Sequence, residues 1–412
     1  MSSEWLETTL GGFVRLQRGH DLTASEQLPG PYPVMGSAGQ NGCHNVAKAK
    51  GPGVVVGRSG ASMGRVHYSE SDYWPHNTCL YVTDFQGNNP RFVYYVLGSL
   101  DLAGYNSGSA QPSLNRNYIY SLPLKIPSRV QQDSIVEVLD ALDTRIALLR
   151  ETNATLEAIA QALFKSWFVD FDPVHARARG EQPAGLAPEV AARFPDSFAE
   201  SEFGMVPKGW RVLSFTETID VIGGGTPKTS ISEYWNGDIP WFSVVDAPAT
   251  TDVFVIETEK HITCEGLNKS STKLLPVGTT IISARGTVGR LALVGQAMAM
   301  NQSCYGLSGK AGDVYFTYFS THRLVETLKQ RTHGSVFDTI TRDTLAGVSV
   351  VYPQTIVITA FEETIAPVME RIKENLRQAR TLATLRDTLL PRLISGQLRL
   401  PDAEQQLKDL AV

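Results

Sequence analysis

The chain repeats itself, and the repeat dictates what it can fold into. GSAQPSLNRNYIYSLPLKIP (108–127) and GSVFDTITRDTLAGVSVVYP (334–353) both open on Gly-Ser and close on Pro after an alternating apolar strand, 226 positions apart. GASMGRV (60–66) and GTVGRLA (286–292) are each a glycine-rich turn closing on Gly-Arg, at Gly64-Arg65 and Gly289-Arg290, 225 positions apart. NTCLYV (77–82) faces QSCYGL (302–307), which sets Cys79 opposite Cys304 at the same interval. Separated blocks that agree on one interval identify a duplication, so whatever is built once is built twice.

Each copy ends in a helix that needs a partner. VLDALDTRIALLRETNATLEAIAQALFKSWF, from Val138, has no Gly or Pro, and its apolar residues recur three and four apart. Leu139, Ile146, Asn153, Ala160 and Trp167 share one seam position, and Leu142, Leu149, Leu156 and Leu163 the other,. Carried forward by 226, the pattern lands on Ile365, Val368, Ile372, Leu382 and Leu389, within EETIAPVMERIKENLRQARTLATLRDTLLPRL. Asn375 and Arg386 also fall on this seam, while Met369, Leu376 and Ala383 offer a neighbouring stripe. Pro367 is expected to kink or restart the helix. Asn153 on a seam costs stability and fixes register; Leu in its place is expected to tighten the pair or let it slip. The first helix, from about Gln132 to Phe168, would measure roughly 55 Å at 1.5 Å per residue.

The order is therefore globular part, long helix, globular part, long helix. Alternating and β-branched runs (VVVG, TIISA, GVSVVYP) make both globular parts mainly β, with helical stretches near 103–105 and 320–332,. The expected fold is α+β: two mainly β domains with short helices, each followed by a long helix, the helices pairing as an antiparallel coiled coil with pseudo-two-fold symmetry. The boundaries fall at 1–130 for the first domain, 131–170 for the central helix, 171–204 for an irregular Pro- and Ala-rich linker, 205–353 for the second domain, 354–395 for the C-terminal helix and 396–412 for a tail.

Charge is uneven. Residues 1–130 carry 10 Lys and Arg against 8 Asp and Glu, residues 131–205 carry 6 against 13, residues 206–353 carry 13 against 13, and residues 354–412 carry 8 against 8. The acidity sits in the central helix and linker, as suits a partner surface. The globular parts are neutral to slightly basic, which permits a local basic face. No apolar run reaches the roughly 18 residues of a membrane span, and MSSEWLETTLGG lacks a signal-peptide pattern. The four cysteines, Cys43, Cys79, Cys264 and Cys304, lie far apart with no Cys-x-x-Cys spacing. A cytoplasmic protein with reduced thiols and no zinc site is expected.

Catalytic readings fail on spacing. In GGGTPKTS, Pro227 precedes Lys228 where a phosphate-binding loop needs Gly, and proline removes an N–H that would cradle phosphate,. PDSFAESE (195–202) is acidic but lies in the linker without a suitable Lys. Eight histidines are scattered, with no His-x-x-x-His spacing,.

GGGTPKTSISEYWNGDIPWFS (223–243) and its lead-in SEFGMVPKGWRV (201–212) resemble the start of a target recognition domain of type I restriction–modification specificity subunits. LFKSWFVDFDPVHARARGEQPAG (163–185) is similar to the end of that family's central helix, and LLPRLISGQL (389–398) to its C-terminal helix end. The first part, with LQRGHDL, YPVMGSAG and QPSL, is a divergent copy. The resemblance spans essentially the whole chain. It implies a non-catalytic DNA-recognition subunit that reads a split double-stranded site, one domain per half-site, with the helices fixing the gap. It implies two adenine-N6 methyltransferase subunits as partners and leaves open two restriction/translocase subunits. S-adenosylmethionine, ATP and magnesium would be bound by those partners, none by this chain. The Asn-Pro-Pro-aromatic motif by which such a methyltransferase is recognised is absent.

Base readers use Arg toward guanine and Asn or Gln toward adenine, with Lys, Arg, Ser and Thr on phosphates. The expected DNA-binding residues are Arg58, Arg65, Gln111, Ser113, Asn115 and Arg116 in the first domain, and Lys228, Arg285, Arg290, Thr339 and Arg342 in the second. Tyr234, Trp235 and Trp241 read as core. The competing reading is a scaffold that binds no DNA and displays two β modules on a coiled coil.

Overall fold

The computed structural model describes residues 5–108, 111–202, 204–248, 252–331 and 339–409. The chain divides into two compact units, Met1–Arg145 with Thr381–Val412, and Ile146–Arg380. Each holds one globular part and a portion of each long helix.

In the first unit a four-stranded antiparallel sheet runs in the order Arg15–Arg18, Cys79–Asp84, Gly53–Gly57, Val66–Ser69. The inner strand GVVVG is buried along its whole length. In a three-stranded sheet, Tyr32–Gly36 lies antiparallel to Gly39–His44 and parallel to Trp74–Pro75. Leu6–Thr9 pairs with Pro123–Ile126, closing the start of the copy onto its end.

The second unit rebuilds this plan bond by bond. Its corresponding sheet runs Ile219–Gly223, Cys304–Gly309, Thr280–Ser283, Leu291–Val294, with Phe254–Val255 added in parallel at the edge. Trp235–Phe242 takes the central place between His261–Ile262 and Ala299–Met300, and Arg211–Ser214 pairs with Ser349–Tyr352. Gly57 sits opposite Cys79 in one copy and Ser283 opposite Cys304 in the other. Both thiols are buried, and burial pushes each up to about 12, so neither is a nucleophile at neutral pH,. The added strand lies in the longer segment between Phe242 and Thr280, whose counterpart runs only from Gly36 to Gly53.

One helix escapes a propensity reading. Pro90–Ser99 is rich in aromatic and β-branched residues yet forms a full helix. The Asn89 side chain accepts from the amides of Arg91 and Phe92 at 2.8 and 3.2 Å, and Pro90 occupies the first turn, where it has no N–H to lose,. Its counterpart is Tyr315–Arg331, which starts 225 positions later and ahead of the expected 320–332. Near 103–105 a single 3-10 turn forms, Leu102–Tyr105.

The two long helices are Arg129–Phe168 and Thr355–Ile394, 40 residues each. Within the second unit Asn153 reaches Ile372 while Phe164 meets Phe361, so rising numbers on one helix meet falling numbers on the other. The pair is antiparallel. Leu139, Leu142, Ile146, Leu149 and Asn153 are buried, as are Ile365, Ile372, Leu382 and Leu389. The expected seam fails at Leu156 and Leu163, which are only partly buried; Glu157 and Phe164 take the inner positions. A helix of 3.6 residues per turn drifts from a strict 3.5 repeat, and here one seam position steps by one residue past Asn153 while Ala160 and Trp167 hold the other,. The second helix runs through Pro367 as one element, with the proline on the exposed face, where the lost bond can be replaced by water,.

The linker and tail hold more structure than their composition suggests. Asp172–Ala178 and Pro188–Ala191 are helical. Phe194 packs edge-on against Trp167 at 4.9 Å. Arg177 donates to the Ala191 carbonyl at 2.9 Å. Leu400–Asp409 forms a further helix in the expected tail. Among the described residues no helix is long and apolar enough to cross a membrane.

Candidate nucleic-acid interface

The glycine-rich turns recur in matching form. Gly57 donates to Arg65 O at 2.7 Å and Gly64 to Gly57 O at 2.8 Å; in the other copy Ser283 donates to Arg290 O and Gly289 to Ser283 O, both at 2.9 Å. Gly60, Gly64, Gly286 and Gly289 all have φ between 76 and 83°, a region costly for residues with a Cβ,. A second loop closes on each turn. Leu114 donates to Arg58 O at 2.8 Å and Ile340 to Ala284 O at 2.9 Å, and bridges pair Ser59 with Ser113 and Arg285 with Thr339. A short capped helix follows. Asn115 accepts from Asn117 N ahead of Arg116–Ile119, and Thr341 from Thr344 N ahead of Arg342–Ala346.

In the first unit this construction brings Arg58, Ser113, Asn115 and Arg116 around one open concavity of about 560 Å³. The same hollow is lined by Gln17, Arg18, His20 and Asp21, which were not among the expected residues. Their signal was legible as RLQRGHD, an edge strand whose polar residues alternate about Leu16 before Gly19. Gly19 is required because a Cβ there would lie 2.1 Å from His76 O. Asp21 is held by the Asn77 amide and by Arg18 at 3.4 Å. His20 leans on Tyr81 and Trp74. The rim thus offers both signs of charge and two side-chain amides, Gln17 and Asn115, the chemistry of base-edge recognition,.

Arg116 is partly committed: its Nη1 donates to Leu16 O at 2.8 Å. Arg342 makes the corresponding bond to Val221 O at 3.1 Å. These paired arginines therefore tie the short helix of each copy to a neighbouring sheet strand. Arg290 folds back on its own domain, donating to Pro248 O at 2.8 Å and Ala247 O at 3.3 Å. Arg65 is exposed and borders a different cleft, described below. Gln111 stands exposed at its loop tip.

The GGGTPKTS loop is built by close packing. A Cβ on Gly224 would meet Asn301 O at 1.9 Å, the counterpart of Gly19 against His76 O, and one on Gly225 would meet Ser271 Oγ at 2.2 Å. Trp241 donates to Gly225 O at 3.0 Å and Trp235 to Lys228 O at 3.3 Å, the two indoles meeting edge to face at 5.2 Å. The tryptophans are anchors beneath the loop. Lys228 is left facing solvent, and Thr226 bonds Gln302, as Asp21 bonds Asn77 in the other copy. Among the described residues no three His, Cys, Asp or Glu side chains gather to hold a metal ion.

A family model for the type I restriction modification DNA specificity domain matches residues 2–158 and again 207–381. The chain is 27% identical over 357 residues to the HindI type I restriction enzyme specificity subunit of Haemophilus influenzae, covering 75% of this chain and 77% of that one. It is 33% identical over 167 residues to the MjaIX specificity subunit of Methanocaldococcus jannaschii, covering 40% and 39%. The crystal structure of a type I restriction–modification S subunit from M. genitalium matches in fold with a TM-score of 0.56 at 14% identity, over 95% of this chain and 96% of that chain.

Proposed function

Because the chain belongs to the type I restriction–modification DNA specificity family, we propose that each recognition domain reads one half of a split double-stranded site and that the helices set the gap. It is a DNA sequence-recognition subunit with two target recognition domains. The observation that carries the split-site reading is the bond-for-bond repetition of one loop scaffold that carries different side chains. Arg58 and Asn115 in the first copy stand where the second has Ala284 and Thr341. Equal scaffolds with unequal polar tips are what two unlike half-sites demand. Half-sites about one helical turn apart, roughly 34–36 Å, are read from one face of the duplex. A 40-residue helix, roughly 60 Å long, is of the right scale to space them,.

In this reading the chain carries no catalytic centre of its own and acts in the cytoplasm. It directs adenine-N6 methylation by two methyltransferase subunits, and cleavage where two restriction/translocase subunits join. Those partners bring S-adenosylmethionine, ATP and magnesium. Lys228, Arg58, Gln111, Ser113 and Asn115 face the duplex. Arg285, Thr339, Arg65 and Arg290 flank the contact, and Arg116 and Arg342 hold the reading loops. A long-read methylation map of the source DNA with and without this gene tests the proposal. Loss of one split, adenine-methylated motif on deletion supports it and delivers both half-sites. If no motif is lost and the chain, reconstituted with its methyltransferase, binds no duplex at any salt, the scaffold reading replaces it.

A further inference from the structure

The two recognition domains are fastened to the helices by different chemistry. In the first unit the joint is ionic. Arg91, at the start of the Pro90–Ser99 helix, bonds Asp140 through Nε at 2.7 Å and lies 3.6 Å from Asp143 through Nη2. The Tyr95 hydroxyl, one turn on, lies 2.7 Å from Asp140 and 2.6 Å from Asp143 and shares its one proton between the two carboxylates. Arg386 of the second long helix takes the other oxygen of Asp143 at 2.6 Å. The Arg91 guanidinium also lies 4.6 Å from the centre of the Tyr68 ring. Beside this lattice opens a cleft of about 660 Å³ bordered by Arg65, Tyr94, Tyr95, Asp143, Arg386 and Leu390. The joint is thus wet along one edge.

In the second unit the duplication replaces Arg91, Asp140 and Asp143 with apolar residues and Tyr95 with Ser320. Phe316 stands at the place of Arg91 and Met369 at the place of Asp143. Phe316 packs on Phe164 and Phe168, with ring centres at 5.8 and 4.9 Å, and Phe361 closes the cluster. At that helix start the Phe316 amide donates to Glu362 at 2.8 Å, Tyr315 to Glu370 at 3.3 Å and Thr317 to Asp313 at 2.9 Å. Apolar packing is forgiving of small rotations. A guanidinium fork bridging two carboxylates spaced one helical turn apart fixes direction as well as distance.

We propose that Arg91 is a positioning residue which, by bridging Asp140 and Asp143, sets the angle at which the first recognition domain leaves the helices and so the gap between half-sites that is accepted. The proposal rests on the split-site reading. It assigns the setting of the gap to the Arg91 joint of the first copy, whose place in the second copy is apolar although Arg380 pairs with Glu257 there at 3.2 Å, and makes gap selectivity sensitive to salt.

The test uses the full chain in complex with its methyltransferase, and synthetic duplexes carrying the mapped site with the native gap or one base pair more or less. With Arg91→Met, the preference for the native gap falls by at least about tenfold, since small misplacements of a reading element cost large factors, while the bases preferred within each half-site stay the same. Arg91→Lys retains part of the preference, and rising salt erodes it in the unaltered complex. Tyr95→Phe, which removes only one hydroxyl, gives a smaller loss in the same direction and serves if Arg91→Met does not fold. Unchanged gap preference in folded Arg91→Met and Tyr95→Phe complexes overturns the proposal, even if both melt earlier. An unaltered complex that methylates no split site overturns the specificity reading, and this inference with it.

Discussion

Replacing Asn153 by Leu is the sharpest probe of the helix pair. Asn153 is 2% exposed and Asn375 5%. Asn375 Nδ2 donates to Asn153 Oδ1 at 2.9 Å, and Asn153 Nδ2 donates to Ile372 O at 3.1 Å. Leu at 153 therefore does more than exchange a polar seam residue for an apolar one, because it leaves the Asn375 amide buried without its acceptor. An orphaned buried polar group costs about 1–3 kcal/mol. For a cooperative unit of 150–250 residues each kcal/mol moves the melting temperature by about 2–4 °C, so Asn153→Leu should lower it by roughly 2–12 °C. The double replacement Asn153→Leu with Asn375→Leu removes both amides together. It should recover most of the loss or exceed the native stability, as replacement of buried polar pairs by apolar ones often does. A double-mutant cycle on thermal or urea unfolding measures the coupling, expected at about 1–3 kcal/mol. A single mutant as stable as the native chain, or a double mutant whose losses simply add, refutes the argument. The double mutant should also accept more than one gap length, since a buried polar seam pair opposes register slip.

Glu157 is buried on the inner face of the helix, and burial first, then the nearby Asp252, pushes its carboxyl up to about 7. The folded state thus binds this proton more tightly than the unfolded chain. The stabilisation is complete below pH 4.5, fades as pH rises through 7, and amounts to about 3 kcal/mol,. Glu157→Gln should flatten the fall in melting temperature between pH 5 and pH 8 and raise stability at the upper end; an unchanged pH profile counts against it. Lys228→Ala should weaken binding of all duplexes alike and reduce the salt slope by about one, read by titration at several salt concentrations. Phe361→Ala should cost about 3–5 kcal/mol in urea unfolding, because it empties the centre of an aromatic cluster,. Gly64→Ala should cost about 2–3 kcal/mol, since φ is 83° and a Cβ would approach Ala103 N to 2.7 Å,.

The amino-acid sequence by itself determined the duplication, the two long helices and the polar interruptions of their seam. Each is carried by spacing, and spacing survives whatever the chain packs against. It also placed Cys79 opposite Cys304, and the paired Gly-Arg turns, because left-handed glycines recur wherever the same turn is made. Tertiary structure decided who meets whom. Asn153 finds its partner 222 residues away. Arg386, the other misfit on the seam, finds Asp143. Arg116 and Arg342 looked like free base readers, but each is turned onto a strand carbonyl that only the fold brings within reach. Gln17, Arg18, His20 and Asp21 line the same hollow as Arg58 and Asn115 because their segment lies beside a loop that follows about a hundred residues later. The stripe slips from Leu156 and Leu163 to Glu157 and Phe164 because the pitch of a real helix answers to the surface packed on it,. Pattern is a property of one chain segment and is legible in it; partnership is a property of two, and long-range packing alone selects the second.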